Sequence, residues 1–472
     1  MHMTTSTTTQ NLTTAEVATL AGVHKDTLLR WLRAGAVTEP GRDRNGWRSF
    51  TREDARRVAQ YASSPEGTSH AVATKPSVST PNLGNLESIE WDFAGAKTNY
   101  LTHGIHPYPA KFIPQIPNAL IQELSSVGDT IGDIFCGSGT TLVEALTLKR
   151  HAVGVDANPL ACLISRAKTT AITEDDARQL SVLKDAIRRL GETLKQNAEN
   201  SLLPSEAFVS DGWRPQYEKL EFWFQKDVIE ELAEIKKQCL LIALGAARNL
   251  ALVAFSSIIV TISRQDSDTR YVRREKGILP GETCRKYARA LEQALHVAAE
   301  FSELVESRFD CTIFEGTLLE LPSIPKLDLV VCSPPYPNAF SYHLYHMTRM
   351  LWLEMDQPKF KQEEIGSHRK YSSKSKNAAT VETFRDEFTT ILSWLSGNLK
   401  IGGFACFVVG DSTLRGERIN NANLISGAGQ KAGFVEVARL TRTMQATKKS
   451  FNPSIGKIKS EDILILQNQG PQ

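Results

Sequence analysis

Apolar positions along the chain follow three regimes. In residues 13–61 they recur at helical spacing over short stretches, Val17 with Leu20 and then Leu28, Leu29 and Leu32, and Gly22 breaks the chain between them. Thr13 with Glu16, and Thr51 ahead of Glu53 and Asp54, read as helix starts. In residues 172–308 the helical spacing runs longer, through Leu180, Leu183, Ile187 and Leu190 and again from Val228 to Leu252. Elsewhere the apolar residues come in short runs bounded by turns, as strands do: one ending near Phe135, then His151 to Val155, Leu329 to Val331, Phe404 to Val409, Phe434 to Thr441 and Ile463 to Leu466. This order predicts an α/β sheet interrupted by a helical insertion and preceded by a small helical unit.

Two strand ends carry chemistry. The run ending near Phe135 gives way to Gly137, Ser138 and Gly139 and then to a helix expected over Thr140 to Leu148, while the next strand stops at Asp156. Glycines at a strand-to-helix turn let a ligand approach the backbone, and an acid at the end of the following strand is placed for a ribose diol. No lysine follows in the spacing of a triphosphate loop. The run Leu329 to Val331 breaks into Ser333, Pro334, Pro335 and Tyr336. Two prolines cannot continue a helix or a strand ladder, so a hydroxyl, a carbonyl without a ladder partner and an aromatic face are presented together. Such a set can hold a planar ring by an amino group.

The segments FCGSGTT (135–141) and SPPY (333–336), with the proline-rich HGIHPYPAKFIPQIP (103–117), resemble the S-adenosylmethionine-dependent amino-methyltransferases of DNA. The resemblance spans residues 95–170 and 310–468. It implies a Rossmann-like class I methyltransferase sheet with S-adenosyl-L-methionine as cofactor. The implied contacts are His106, Pro107, Tyr108 and Lys111 near its methionine end, Asp133 toward its ammonium, Phe135, Cys136, Gly137, Ser138, Gly139 and Thr140 as the elbow, Asp156 on the ribose, and Asn158 and Pro159 flanking the adenine. Lys111 could equally be an ordinary surface residue. Thr317 follows Gly316 where relatives often carry an acid, which leaves adenine binding there open. Ser333, Pro334, Pro335 and Tyr336 would be catalytic.

The small unit, residues 1–61, resembles the winged helix-turn-helix of the MerR type. Lys25, Thr27 and Arg30 on its second helix and Arg42, Arg44, Trp47 and Arg48 on its wing are the expected DNA contacts, against the alternative of an ordinary charged face. Residues 62–86, rich in Ser, Thr, Pro and Gly, read as a linker. The catalytic domain is expected over 87–171 and 309–472. The insertion, 172–308, is a candidate target recognition region through Arg264, Arg270, Arg273 and Arg274 around Tyr271, with the basic stretch 356–380 as the other candidate. The prolines of 103–117 are expected to delay any helix until about Pro117.

Length and composition narrow the setting. The chain has 472 residues, enough for two or three domains, and a formal charge of +2, so a DNA surface must come from local clustering. Seven cysteines without a CxxC argue against a zinc site and a disulfide framework, and no metal is expected. No apolar run reaches the roughly 18 residues of a membrane span, and a cytoplasmic protein is expected. The expected activity is methyl transfer to N4 of cytosine in duplex DNA by base flipping and in-line attack. The choice of cytosine follows from Ser333 opening the motif, a tendency of the family. Methylation of adenine N6, a tRNA guanine methyltransferase and a silent DNA-binding regulator are the alternatives. Expected partners are double-stranded DNA and possible restriction-endonuclease or defence proteins. Attack at carbon 5 would need a cysteine after a proline, and Cys332 instead precedes Ser333.

Overall fold

The computed structural model describes residues 12–23, 25–33, 36–42, 48–63, 83–200, 208–337, 340–371, 379–443 and 460–470. Two compact units part between Lys97 and Thr98. Residues 83–97, read from the sequence partly as linker and partly as the start of the catalytic domain, group with the first.

The first unit holds helices Thr14–Leu20, Lys25–Arg33 and Arg52–Ala62 and the two-stranded pair Gly41–Arg42 and Arg48–Ser49. Both expected helix starts form capping boxes, Thr13 with Glu16 and Thr51 with Asp54. Leu28, Leu29 and Leu32 are buried, together with Val17, Trp31, Phe50 and Val58. The helical spacing therefore placed the core side of the second helix, whereas in the first Val17 is buried and Leu20, paired with it by the spacing, is 64% exposed.

The second unit is built on a seven-stranded sheet. Its strands are β1 (Thr130–Asp133), β2 (His151–Asp156), β3 (Cys311–Glu315), β4 (Leu327–Cys332), β5 (Leu399–Gly410), β6 (Phe434–Thr443) and β7 (Ser460–Asn468). Across the sheet they run β6-β7-β5-β4-β1-β2-β3. β7 pairs antiparallel with both neighbours, and the other pairings are parallel. The chain winds outward from β1 through β2 to β3, then returns to lay β4 on the other side of β1. Strand order reverses there, and in open α/β sheets that reversal opens a crevice at the carboxyl ends of the two strands. One sheet face packs on helices Val381–Asn398 and Asn421–Lys431, with Val330, Phe407, Val409, Leu464 and Leu466 in the shared core.

The insertion between β2 and β3 is helical as expected, with helices Glu174–Asn200, Lys226–Leu241, Ala246–Ile262 and Glu282–Leu304. Its core is continuous with Leu160, Ile164 and Ala167 of helix Pro159–Thr169, so it is a layer of the second unit rather than a separate body. Two of its helices meet at glycines. A Cβ on Gly281, whose φ is +76°, would lie 2.0 Å from the Gly191 carbonyl oxygen. Gly281→Ala is expected to cost about 2–4 kcal/mol of unfolding free energy, from left-handed strain plus the clash. Urea denaturation checks this, and an unchanged midpoint would contradict it.

The structure departs from expectation at three places. Helix Gln115–Leu124 begins before Pro117, because a proline in the first turn lacks only an N–H that has no helical partner anyway. The aromatic-rich stretch 340–354, which reads from its sequence as one helix, is two, Tyr342–Tyr345 and Met347–Trp352, broken at His346. The strand before the glycines stops at Asp133, two residues short of Phe135.

Candidate active site

β1 and β4 lie side by side in parallel, with Ile131 opposite Leu329 and Gly132 opposite Val330. The glycine elbow follows β1 and the diproline bend follows β4, so both leave the same edge from strands about 5 Å apart. A cross-link fixes the pair. The Thr141 hydroxyl, in the first turn of helix Thr140–Thr147, donates to the Val331 carbonyl at 3.0 Å, two residues before Ser333.

The elbow requires its glycines. Gly139 caps that helix at φ +78°, and a Cβ there would stand 2.8 Å from the Ser165 hydroxyl. Gly137, at φ +49°, faces the Tyr108 ring. Asp156, at the end of β2, accepts from the backbone N–H of Gly137 and of Asn158, both at 2.8 Å. Its carboxylate therefore ties the elbow to the loop after β2. Burial pushes it up to about 6 against those two donors. Asp133 is buried, accepts from Phe135 N–H at 3.2 Å and is pushed up to about 7, again by burial. The Ser138 hydroxyl is buried with no hydrogen-bond partner among the described residues. An orphaned hydroxyl beside two positive-φ glycines and two buried carboxyls fits a ligand carrying an ammonium and a diol.

The proline arm comes to this place as well. Asn158 Nδ2 donates to the Tyr108 hydroxyl and contacts His346 Nδ1, each at 3.2 Å, and Tyr108 stacks on Tyr342 at 5.6 Å. Pro107 lies in this arm, and Pro159 opens the helix that Asn158 caps. Lys111 is half-buried and donates to the His103 carbonyl at 2.9 Å, so it is not a free surface lysine. His106 reaches Ser256 of the insertion at 3.0 Å. Phe135 stacks on Phe388, and Cys136 is buried with its N–H on the Val155 carbonyl.

At the diproline bend, the Tyr336 hydroxyl accepts from Gly410 N–H at 3.1 Å, at the end of β5, and lies within hydrogen-bonding reach of the Ser333 side chain. Ser333 and Tyr336 are half-buried, Pro334 is buried, and the loop carrying Gly366 packs against Pro335 and the Tyr336 carbonyl. Ser165, Tyr342 and Gly410 were not singled out from the sequence, and Thr141 only as the last residue of the 135–141 segment. Their partners are distant along the chain, and no local pattern marks them.

The expected DNA contacts are placed less openly. Arg264 pairs with Glu275 at 2.7 Å, Arg270 with Asp266 at 3.2 Å and Arg274 with Asp266 at 3.5 Å. Arg273 pairs with Glu275 and lies over the Phe222 ring. Two acids of the same segment, Asp266 and Glu275, are thus shared among the four arginines, which keep a net positive charge. In the first unit Lys25 and Thr27 are half-buried and Arg48 pairs with Glu39 at 2.7 Å. Arg44 and Trp47 lie outside the described residues, as do the side chains of Arg30 and Arg42. Among the described residues no group of His, Cys, Asp or Glu is placed to hold a metal, and no helix is long and apolar enough to cross a membrane.

Residues 45–167 match the DNA methylase model of the N6/N4 methyltransferase family, and residues 12–62 match the MerR helix-turn-helix family of regulatory proteins. The type II methyltransferase M.MvaI of Kocuria varians is 36% identical over 148 residues, 30% of this chain and 30% of that one. The type II methyltransferase M.MjaII of Methanocaldococcus jannaschii is 23% identical over 465 residues, 79% of this chain and 84% of that one. The chain thus spans about a third of the length of the first relative and most of the second. TrmN of Thermus thermophilus is similar over 76% of this chain and 49% of its own at 10% identity and a TM-score of 0.29.

Proposed function

For a chain that joins a DNA methylase domain of the N6/N4 amino-methyltransferase family to a MerR-type helix-turn-helix unit, we propose transfer of a methyl group from S-adenosylmethionine to N4 of cytosine in duplex DNA. What supports the reading most is that the glycine elbow and the diproline bend leave one sheet edge from neighbouring strands, cross-linked by Thr141 and Val331. Donor and acceptor pockets built on these two turns are adjacent, as direct transfer requires.

The donor supplies a methyl group already activated on a sulfonium, so the chain's residues have to align rather than activate it. Asp156 takes the ribose hydroxyls and Asp133 the ammonium, while Asn158 and Tyr108 wall the adenosine side. On the acceptor side the exocyclic amine donates to the Ser333 hydroxyl and the Pro334 carbonyl. These bonds draw the nitrogen toward tetrahedral geometry and free its lone pair from the ring. Tyr336, anchored by its hydroxyl on Gly410, offers its face to the base. A base in a duplex cannot reach such a site, so it is flipped out. The helix-turn-helix unit adds DNA contacts outside the pocket.

Nucleoside mass spectrometry of plasmid DNA from cells carrying the gene tests this. N4-methylcytosine, absent from cells without the gene, is the expected product. N6-methyladenine in its place would overturn the choice of cytosine while leaving the enzyme class intact, and no modified base would count against both.

A further inference from the structure

Residues 364–367 form a turn between helices Gln357–Glu363 and His368–Tyr371, inside the stretch read from the sequence as the alternative basic surface. The turn faces the diproline bend. Gly366 holds φ +75°, and a Cβ there would stand 2.6 Å from the Tyr336 carbonyl oxygen and 3.1 Å from Pro335 Cβ. Its backbone therefore lies directly on the bend, at an approach only glycine allows. Two residues earlier, the Glu364 carboxylate is buried. It accepts from the Tyr342 backbone N–H at 2.5 Å, and its second oxygen meets His343 Nδ1 at 2.5 Å. The buried Ser341 and Ser367 hydroxyls bond at 3.1 Å, and Gln357 Nε2 donates to the His343 carbonyl at 3.1 Å. These bonds tie residues 357–367 to the segment 341–343, which follows the bend.

The segment so held carries Tyr342, whose half-buried ring stacks on Tyr108 of the proline arm. Burial raises the Tyr342 phenol, and the Glu364 and Asp156 carboxylates and the Tyr336 phenol raise it further. Tyr342 therefore stands where the donor side and the bend meet. A buried carboxylate gives up its hydration, and an apolar turn would cover the bend at lower cost. What the charged acceptor adds is direction. It fixes one backbone N–H and one imidazole at set angles, and the turn passes that geometry to the bend through Gly366.

We propose that Glu364 is a positioning residue for the transfer, clamping the 364–367 turn to Tyr342 and His343 and thereby holding the Ser333–Tyr336 bend in register with the donor side. This rests on the methyltransferase reading. Glu364 acts through the backbone of the bend rather than on the base itself.

The test is single-turnover methyl transfer by the full chain to plasmid DNA from cells lacking the gene, with saturating labelled S-adenosylmethionine, comparing the parent, Glu364→Gln, Ser333→Ala and the double variant. Glutamine keeps the size and one acceptor oxygen and gives up the charge. Glu364→Gln is expected to slow transfer by roughly ten- to hundredfold, with S-adenosylhomocysteine affinity by calorimetry unchanged. In the Ser333→Ala background the same change is expected to cost less than about threefold, because the hydroxyl it aims is gone. A parent-like rate, an equal fold-loss in both backgrounds, or a matching loss of S-adenosylhomocysteine affinity would overturn the clamp and leave Glu364 structural. If Glu364→Gln does not fold, Gly366→Ala, whose methyl group presses on the Tyr336 carbonyl, carries the same expectations and the same refutations. A parent protein that neither binds S-adenosylhomocysteine nor transfers methyl groups would overturn the methyltransferase reading instead.

Discussion

Ser333→Ala and Tyr336→Ala are each expected to slow methyl transfer to duplex DNA by about 10²–10³-fold, while leaving S-adenosylhomocysteine affinity unchanged. The bond from the amine to the serine hydroxyl strengthens as the nitrogen pyramidalises, so its loss falls on the chemical step rather than on donor binding. Removing Tyr336 takes away a stacking face worth roughly 1–3 kcal/mol per base and also frees the Gly410 N–H at the end of β5. Tyr336→Phe separates the two roles. It keeps the ring and loses the hydroxyl's contacts with the Gly410 N–H and the Ser333 side chain, so its rate should lie closer to the parent's than to that of Tyr336→Ala. Single-turnover incorporation of labelled methyl groups measures the step. Parent-like rates in both alanine variants would remove the diproline bend from the active site.

How much of this site is legible in the sequence depends on the range of the interactions involved. The elbow, Asp156 and the bend are each local: positive-φ glycines, a strand-end acid and two prolines mark themselves within a few residues. The capping boxes at Thr13 and Thr51 are local too, and they formed as read. What brings elbow and bend together is not local. β1 and β4 are almost two hundred residues apart along the chain, and their pairing depends on the chain winding out through β3 and back. The cross-link from Thr141 to Val331 and the anchor from Tyr336 to Gly410 follow from that winding, and neither residue pair carries a pattern of its own. The arginines around Tyr271 teach the converse. Their basic run reads as an open phosphate-facing surface, whereas the fold pairs each arginine with Asp266 or Glu275, acids present in the same stretch of sequence.

Asp156→Ala should weaken S-adenosylhomocysteine binding by about 10²-fold or more, the largest effect expected at the donor side. The carboxylate has two duties: it accepts from the Gly137 and Asn158 N–H groups, and it faces the ligand as the proposed acceptor for the ribose diol. Bonds to a charged acceptor are worth roughly 1.5–3 kcal/mol each, and alanine leaves both backbone donors unanswered. Asp156→Asn keeps one acceptor oxygen and should lose less. Acidity gives a second signature. Asp156 and Asp133 are held protonated up to about 6 and about 7 by burial, above the ordinary carboxylate value. The folded chain therefore binds more protons than the unfolded one in this range, and the stability these groups lend at low pH is lost as pH rises through 6 to 7. Ligand affinity should run the other way, because only the ionised carboxylates accept from the diol and the ammonium. Across the same window the ligand-free melting temperature is expected to fall while affinity climbs, with protons released on binding. Calorimetry in two buffers of different ionisation enthalpy reads that release directly. Asp156→Asn should remove the part centred near 6 and keep the part near 7. Affinity that stays flat with pH in the parent protein would mean that neither carboxylate meets the ligand.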